Sequence, residues 1–261
     1  MKSFALVVKE DRISQKTAKT IQEQLLPIMP YDEKQPELVI SVGGDGTMLR
    51  SVHHYMHCPC YFVGVHTGTL GFLTDFQKEE VDTLVASIKG GTYRSSDLCL
   101  LDVIIHQNKG IDVLHALNEV RVDYGFATQV MDVYIDEDHL ETFRGNGMCV
   151  STQVGSTAYN KSLGGAVLYP GNPLMQLTEV AGIQHNAYRS LGSPLILGKP
   201  QCIHFVYKQK QDTLYLGIDH RAFTLQDVTK VSVSISSKQI HFIEFREMSF
   251  ISRLRRAYIK S

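Results

Sequence analysis

The chain opens on an apolar run, Phe4-Ala5-Leu6-Val7-Val8, whose length and composition predict a buried strand. From Ser14 to Leu26 the residues are mostly polar, with Ala18, Ile21 and Leu25 on one face. That spacing predicts an amphipathic helix, ended by Pro27 and Pro30. Further strands are expected at Leu38 to Val42 and Tyr61 to Val65, with a helix leading out of residues 48 to 52 between them. Val81, Leu84, Val85 and Ile88 recur at helical spacing within Glu79 to Lys89. Strands alternating with helices imply a parallel sheet, and ligands of such sheets sit beyond the carboxyl ends of the strands.

Near residue 95 the period changes. Leu98 to Ile105 predicts a strand, Asn108-Lys109-Gly110 a turn, and Ile111 to Val122 one or two strands around Asn118. Val130 to Ile135 and Leu140 to Arg144 form a hairpin about Glu137-Asp138. Cys202 to Tyr207, Thr213 to Ile218, Val228 to Ser234 and Ile240 to Phe245 read as strands, and Phe250 to Tyr258 as a terminal helix. This second part is expected to be a mostly antiparallel sandwich.

The chemistry concentrates at the strand ends. The second strand runs into Ser41-Val42-Gly43-Gly44-Asp45-Gly46-Thr47 and then into a helix. Glycines before the carboxylate permit unusual backbone angles and close approach of a bulky anion, and Gly46 leaves the far side of Asp45 open. A helix start with unpaired N–H groups suits phosphate. A carboxylate there is costly unless it holds a metal or takes a proton from an attacking hydroxyl. The spacing is neither that of a P-loop nor G-x-G-x-x-G, because Leu49 stands at the third glycine position. A plain glycine turn would carry the same residues. The third strand ends in a second such loop, His66-Thr67-Gly68-Thr69-Leu70-Gly71-Phe72-Leu73. A third dense stretch, Arg144 to Gly165, holds Gly155-Ser156-Thr157, where Ser156 or Thr157 is expected to cap a helix.

Composition narrows the classes. Of 261 residues, 43% are hydrophobic and 20% charged, which is ordinary for a globular chain. A formal net charge of -1 argues against a general nucleic-acid surface. No apolar run reaches membrane-spanning length, and the five apolar residues before Lys9 are too few for a signal peptide. Five irregularly spaced cysteines form no disulfide framework, so a reducing, cytoplasmic setting is expected.

Taken together, Gly43-Gly44-Asp45-Gly46-Thr47, His66-Thr67-Gly68 with Leu70-Gly71-Phe72, Leu117-Asn118-Glu119, and Gly155-Ser156-Thr157-Ala158-Tyr159 resemble the NAD kinase family. The similarity runs from about Glu37 to Ser193. The first motif is shared with lipid kinases and the phosphofructokinase group; the Asn-Glu pair with Gly-Ser-Thr-Ala-Tyr is more specific. The resemblance implies transfer of the terminal phosphoryl group of ATP, or of polyphosphate, to the 2′-hydroxyl of the adenosine ribose of NAD. It implies an α/β plus all-β fold: a Rossmann-like N-terminal α/β domain (1–96) and a central antiparallel β-sandwich domain (97–236), with the C-terminal segment (237–261) returning to the first. It also implies Mg²⁺ or Mn²⁺ with ATP, and a homodimer or homotetramer.

Carried over residue by residue, the resemblance makes Asp45 the base, beside Gly44 and Gly46. Glu119 holds the ribose diol, and Asn118, Thr157 and Ala158 read the adenine edge. Phe72 and Leu73 lie near the nucleoside. Tyr159, Asn160, Lys161 and Ser162 line the remainder with Val154, Ala181 and His220, while Arg144 neutralises phosphate and Asn146 stands at the nicotinamide end. The chain departs from the family where Gly145-Asn146-Gly147 replaces Gly-Asp-Gly, which removes a charge. Thr152-Gln153-Val154-Gly155 lacks the usual proline and a hydroxyl, and Leu73 replaces a frequent tyrosine. Asp45 and Glu119 remain, so activity is expected. The alternatives are a catalytically silent dinucleotide-binding regulator and a lipid or sugar kinase. His53, His57, Cys58 and Cys60 are weighed as a zinc site, but Cys-Pro-Cys is too tight for the usual knuckle, and no protein-bound metal is expected. The basic terminus, Arg253, Arg255, Arg256 and Lys260, reads as cations at a helix C-terminus.

Overall fold

The structure, a computed structural model, describes residues 1–68, 71–123, 125, 127–207 and 213–259. Thr69 and Leu70 of the second glycine loop, and Lys260 of the basic terminus, lie outside the described residues. Two compact units form: residues 1–98 with 240–261, and residues 99–239.

In the first unit, β1 (Phe4–Val8), β2 (Leu38–Gly43) and β3 (Tyr61–His66) pair in parallel in that order, with Leu38 beside both Phe4 and Tyr61. All six residues of β2 are buried. A central parallel strand is covered on both faces, which is why it reads as a continuous apolar run rather than an alternation. The connecting helices are α1 (Arg12–Leu25) and α2 (Asp45–Tyr55). A short strand, β4 (Phe76–Gln77), pairs with the end of β3 and leads through a 3-10 turn into α3 (Val81–Gly90). Ile21, Leu25, Ile40, Val63, Phe76 and Leu84 fill the core between helices and sheet. Helix α1 starts two residues before the expected Ser14, because the Asp11 carboxylate accepts the Ser14 N–H at 2.8 Å and caps it. The first turn of the expected 79–89 helix is 3-10, closed by reciprocal bonds between Gln77 and Glu80.

The second unit is built from two antiparallel sheets. Its strands are β5 (Arg94–Gln107, entering from the first unit), β6 (Gly110–Ala116), β7 (Glu119–Asp123), β8 (Gln129–Ile135), β9 (Asp138–Gly145) and β10 (Gly147–Thr152). After one helical turn, α4 (Tyr159–Ser162), come β11 (Leu174–Val180), β12 (Leu195–Gly198), β13 (Cys202–Val206), β14 (Leu214–Ile218), β15 (Arg221–Leu225) and β16 (Val228–Glu244). One sheet has the order β12-β11-β10-β7-β14-β15. The other has β16-β13-β8-β9, with the β5–β6 hairpin on β16. Their inner faces share one core, including Val103, Met131, Phe143, Val150, Phe205, Leu216 and Val233. This is the sandwich that the alternating patterns imply.

Four strands, β4, β11, β12 and β15, are not legible as such in the sequence. Each is short or polar at alternate positions, and Pro173 and Pro194 interrupt the signal. The two strands expected at Val228 to Ser234 and Ile240 to Phe245 are one, β16. The polar run Ser236-Ser237-Lys238-Gln239 resembles a turn but stays extended. The last residues of β16 return to the first unit, where His241 and Phe242 lie parallel to Tyr61 and Phe62 of β3. Helix α5 (Phe250–Tyr258) follows, capped by Ser249.

Candidate active site

Asp45 is the first residue of α2. Its carboxylate accepts two consecutive backbone N–H groups, Phe72 on Oδ2 at 2.8 Å and Leu73 on Oδ1 at 2.9 Å. Each oxygen keeps a lone pair, so the group is held in place and still able to take a proton. Phe72 is fixed from its other side: its carbonyl accepts from Arg253 Nη1 at 3.0 Å, and its ring meets Phe250 and Tyr258 of α5 at 5.8 and 6.1 Å. Arg253 also pairs with the buried Asp75 at 2.5 Å. Arg253, in the middle of α5, is thus a brace for the Asp45 loop, while Arg255 and Arg256 are the cations of the last turn.

Gly71 packs directly on this carboxylate, and a methyl group there would overlap it. Gly71→Ala is therefore expected to displace Asp45 from both amides, lowering turnover by about tenfold or more, as small misplacements of reacting groups do. Steady-state kinetics beside a thermal melt checks this; full activity would mean that the Asp45 position is not critical.

The glycines before Asp45 act differently from one another. Gly44 has an ordinary extended backbone. A Cβ built on Gly44 would meet the His66 ring at 3.5 Å, whereas nothing lies within 4 Å of one built on Gly46. Both line a cleft of ≈ 720 Å³ with Lys9, Arg12, Arg50 and His66. Three cations and the start of α2 suit it to a polyphosphate. Lys9 is partly engaged by Asp11 at 3.2 Å. His66 Nδ1 accepts the Gly68 N–H at 2.9 Å, which places the proton of the neutral ring on Nε2. Burial lowers the His66 pKa, against the opposing pull of Asp45.

The second unit holds the other candidates. Glu119 opens β7 and is 7% exposed, with Oε2 lacking a hydrogen-bond partner among the described residues. Burial first, and then the charge of Asp219, raise its pKa to about 7, against Arg121 and the Tyr159 amide. Gly155 packs on the Asn118 carbonyl so tightly that no side chain fits there. That contact brings Asn118 and Glu119 beside Val154, Thr157, Ala158 and Tyr159. The Arg121 guanidinium lies 4.4 Å from the Tyr159 ring centre.

Neither Ser156 nor Thr157 caps α4 as expected. Their hydroxyls donate backwards, to the carbonyls of Gln153 at 2.7 Å and Val154 at 3.1 Å, and tighten a 3-10 turn. The residue that caps α4 is Ala158, with no side-chain bond. Asn160 is fully buried, its Oδ1 accepting from Thr178 at 2.7 Å, while Lys161 and Ser162 are exposed. His220 is exposed in the turn between β14 and β15.

Arg144, Asn146 and Ala181 form a separate group. The Asn146 N–H donates to Val180 at 3.0 Å, Ile183 N–H donates to Arg144 at 2.8 Å, and the Arg144 guanidinium stacks 4.2 Å from the Tyr188 ring centre. Asn146 is exposed between two glycines that pack on backbone. This group sits at the Gly147 end of β10 and Glu119 at the other, about 17 Å away at 3.4 Å per residue. Among the described residues no three His, Cys, Asp or Glu side chains stand together as metal ligands, the His53, His57, Cys58 and Cys60 stretch included. The sequence alone did not single out Arg121, Asp219 or the cleft cations: Asp219, Lys9 and Arg12 come from elements remote in the chain, and Arg121 and Arg50, though near Glu119 and Asp45, read as ordinary surface cations.

Comparison with known proteins decides the family. Residues 4–93 match the model of the ATP-NAD kinase N-terminal domain, and residues 117–245 that of the ATP-NAD kinase C-terminal domain. NAD kinase 1 of Oceanobacillus iheyensis is 38% identical over 263 residues, covering 98% of this chain and 98% of that protein. The chain belongs to the NAD kinase family. Two solved structures share its fold. Yeast NADH kinase complexed with NADH is 19% identical, with a TM-score of 0.85 over 100% of this chain and 89% of that one. An NAD kinase from Archaeoglobus fulgidus in complex with ATP is 22% identical, with a TM-score of 0.77 over 97% and 99%. As an NAD kinase family member the chain transfers the terminal phosphoryl group of ATP to the 2′-hydroxyl of the adenosine ribose of NAD, giving NADP. The α/β unit and the separate antiparallel unit are the family's architecture.

Proposed function

We propose that Asp45 is the general base of this phosphoryl transfer and that Glu119 grips the ribose carrying the attacking hydroxyl. The observation that carries this reading is the Asp45 carboxylate, anchored by two amides yet keeping a lone pair on each oxygen. The 2′-hydroxyl gives its proton to Asp45 while its oxygen forms the new P–O bond. The bond from the terminal phosphorus to the bridging oxygen breaks, and ADP leaves with the electron pair. The cleft lined by Lys9, Arg12, Arg50, Gly44 and Gly46 takes the donor phosphates. The Archaeoglobus fulgidus relative is a complex with ATP, in keeping with a nucleoside triphosphate as donor.

On this reading Asn118, Thr157 and Ala158 recognise adenine, and Phe72 and Leu73 bound the nucleoside. Tyr159, Ser162, Lys161 and Val154 border the dinucleotide with His220, and Asn160 holds their turn from within. Asn146 and Ala181 meet the nicotinamide end, and Arg144 beside them neutralises phosphate. The loss of charge at Asn146 leaves a neutral hydrogen-bonding group for the carboxamide. The chain works in the cytoplasm as a homodimer or homotetramer. Its five cysteines are thiols, in keeping with a reducing compartment; no helix among the described residues is long and apolar enough to cross a membrane.

Mg²⁺ or Mn²⁺ enters with ATP as part of the substrate, neutralising charge on the phosphates. A coupled assay for NADP is expected to give full activity with Mg²⁺ or Mn²⁺, none with EDTA, and elemental analysis to find no stoichiometric metal in the purified protein. Activity in EDTA, or one zinc per chain, would refute this part of the reading. Running the assay with ATP and polyphosphate in parallel fixes the donor.

A further inference from the structure

We infer that Asp219 is a positioning residue for the dinucleotide site, holding Asn118 and Glu119 by their backbone so that both side chains face the nucleoside. This rests on the reading of Asn118 and Glu119 given above.

Asp219 lies in the turn after β14, about a hundred residues from Asn118 in sequence. An aspartate in a hairpin turn usually bonds its own neighbours. This one reaches across to the start of β7. Its carboxylate accepts three consecutive amides: Leu117 at 2.8 Å on Oδ2, and Asn118 at 2.7 Å and Glu119 at 3.1 Å on Oδ1. The carbonyls of the same three residues are also held. Leu117 accepts from Thr152 Oγ1 at 2.6 Å, Asn118 from the Thr152 N–H at 2.8 Å, and Glu119 from the Asp219 N–H at 3.0 Å. Asp219 and Thr152 therefore hold all six backbone polar groups of the corner. The Glu119 carboxylate keeps an oxygen, Oε2, with no partner among the described residues.

The molecule contains its own comparison. Asp136 occupies the matching place in the turn between β8 and β9, with φ 54° against 53° for Asp219. Its backbone N–H likewise donates to the neighbouring strand, to the Cys202 carbonyl at 2.8 Å. Its carboxylate binds one amide, that of Cys202 at 2.8 Å. One bond anchors that hairpin, so hairpin anchoring alone does not call for three. Asp219 also sets a second negative charge near Glu119, which disfavours ionised Glu119. The three amide bonds are kept despite that electrostatic cost, as a site that needs the Glu119 backbone fixed requires.

The test compares steady-state kinetics of the full chain with Asp219→Asn, Asp136→Asn, Thr152→Val and Glu119→Ala. Asparagine offers one acceptor oxygen and turns its NH₂ towards amides that need an acceptor. Asp219→Asn is expected to raise KM for NAD about tenfold or more, the scale of losing charge-assisted bonds, and KM for ATP by less than about twofold. Asp136→Asn is expected to lower the melting temperature without changing KM for NAD. If Asp219→Asn does not fold, Thr152→Val, which frees the Leu117 carbonyl of the same corner and the Gly155 amide that packs on Asn118, must raise KM for NAD in the same selective way. An unchanged KM for NAD in Asp219→Asn, or in Thr152→Val where only that variant folds, overturns the inference, as does an equal rise in Asp136→Asn. If those variants fail while Glu119→Ala raises KM for NAD, only the positioning role is lost. If Glu119→Ala leaves KM for NAD unchanged, the reading of Glu119 falls and takes the inference with it.

Discussion

In Asp45→Asn, turnover at saturating NAD and ATP is expected to fall by about two or more powers of ten, the usual scale for loss of a general base. Affinity for NAD is expected to change much less, because the residue acts on the hydroxyl proton and not on the bulk of the dinucleotide. The geometry adds a second consequence. Phe72 and Leu73 each donate an N–H to a separate oxygen of Asp45. An asparagine has one oxygen, so one amide loses its acceptor and faces an NH₂ group. The loop that Arg253 braces from the other side should loosen, visible as faster exchange of the Phe72 or Leu73 amide hydrogen. Stopped assays for NADP, with calorimetry for NAD binding, separate the two effects. Near-normal turnover would remove Asp45 from the mechanism.

Glu119→Ala is expected to weaken NAD binding by roughly 1.5–3 kcal/mol, the contribution of a charge-assisted hydrogen bond. It should also slow turnover, since a misplaced nucleophile loses alignment. Glu119→Gln should bind NAD better than Glu119→Ala, because the amide still offers an oxygen. A 2′-deoxy analogue of NAD should bind the unmutated protein less well than NAD, and that gap should shrink in Glu119→Ala. Calorimetry on both proteins with both ligands closes the cycle. An unchanged gap would mean that Glu119 does not touch that ribose.

The pH dependence of NAD binding checks the same residue independently. Burial and Asp219 push the Glu119 pKa up to about 7, opposed by Arg121 and the Tyr159 amide. A ribose hydroxyl donates to the ionised carboxylate. NAD affinity should therefore rise as pH increases from about 6 to 8, one unit either side of that value, and then level off. The limb should be missing in Glu119→Ala. A flat profile in the unmutated protein would contradict the assignment.

What was legible in the sequence was what a local period or a local motif can carry. The strand at Leu38, the glycine turn at Asp45 and the helix from Phe250 to Tyr258 each advertise themselves within a dozen residues. The Asn118-Glu119 pair was legible only through family resemblance, since an exposed glutamate on a strand has the same local signature. The three-amide clamp of Asp219 was not legible at all. Nothing in Ile218-Asp219-His220 distinguishes a turn aspartate that bonds locally from one that reaches β7. Arg253 reads as a helix-end cation for the same reason, although it stands in mid-helix: its partners, Phe72 and Asp75, are far away in sequence. Ser156 and Thr157 misled because hydroxyls beside a helix start serve equally as caps or as donors to preceding carbonyls.

The most direct measurement follows both products of the unmutated protein with Mg·ATP and either NAD or its 2′-deoxy analogue. ADP is quantified, and phosphorus NMR locates the new phosphate. The account predicts one 2′-phosphate on NAD for each ADP released, and no phosphorylated product from the deoxy analogue. Binding of NAD with no NADP formed, or a phosphate at any other hydroxyl, would contradict it.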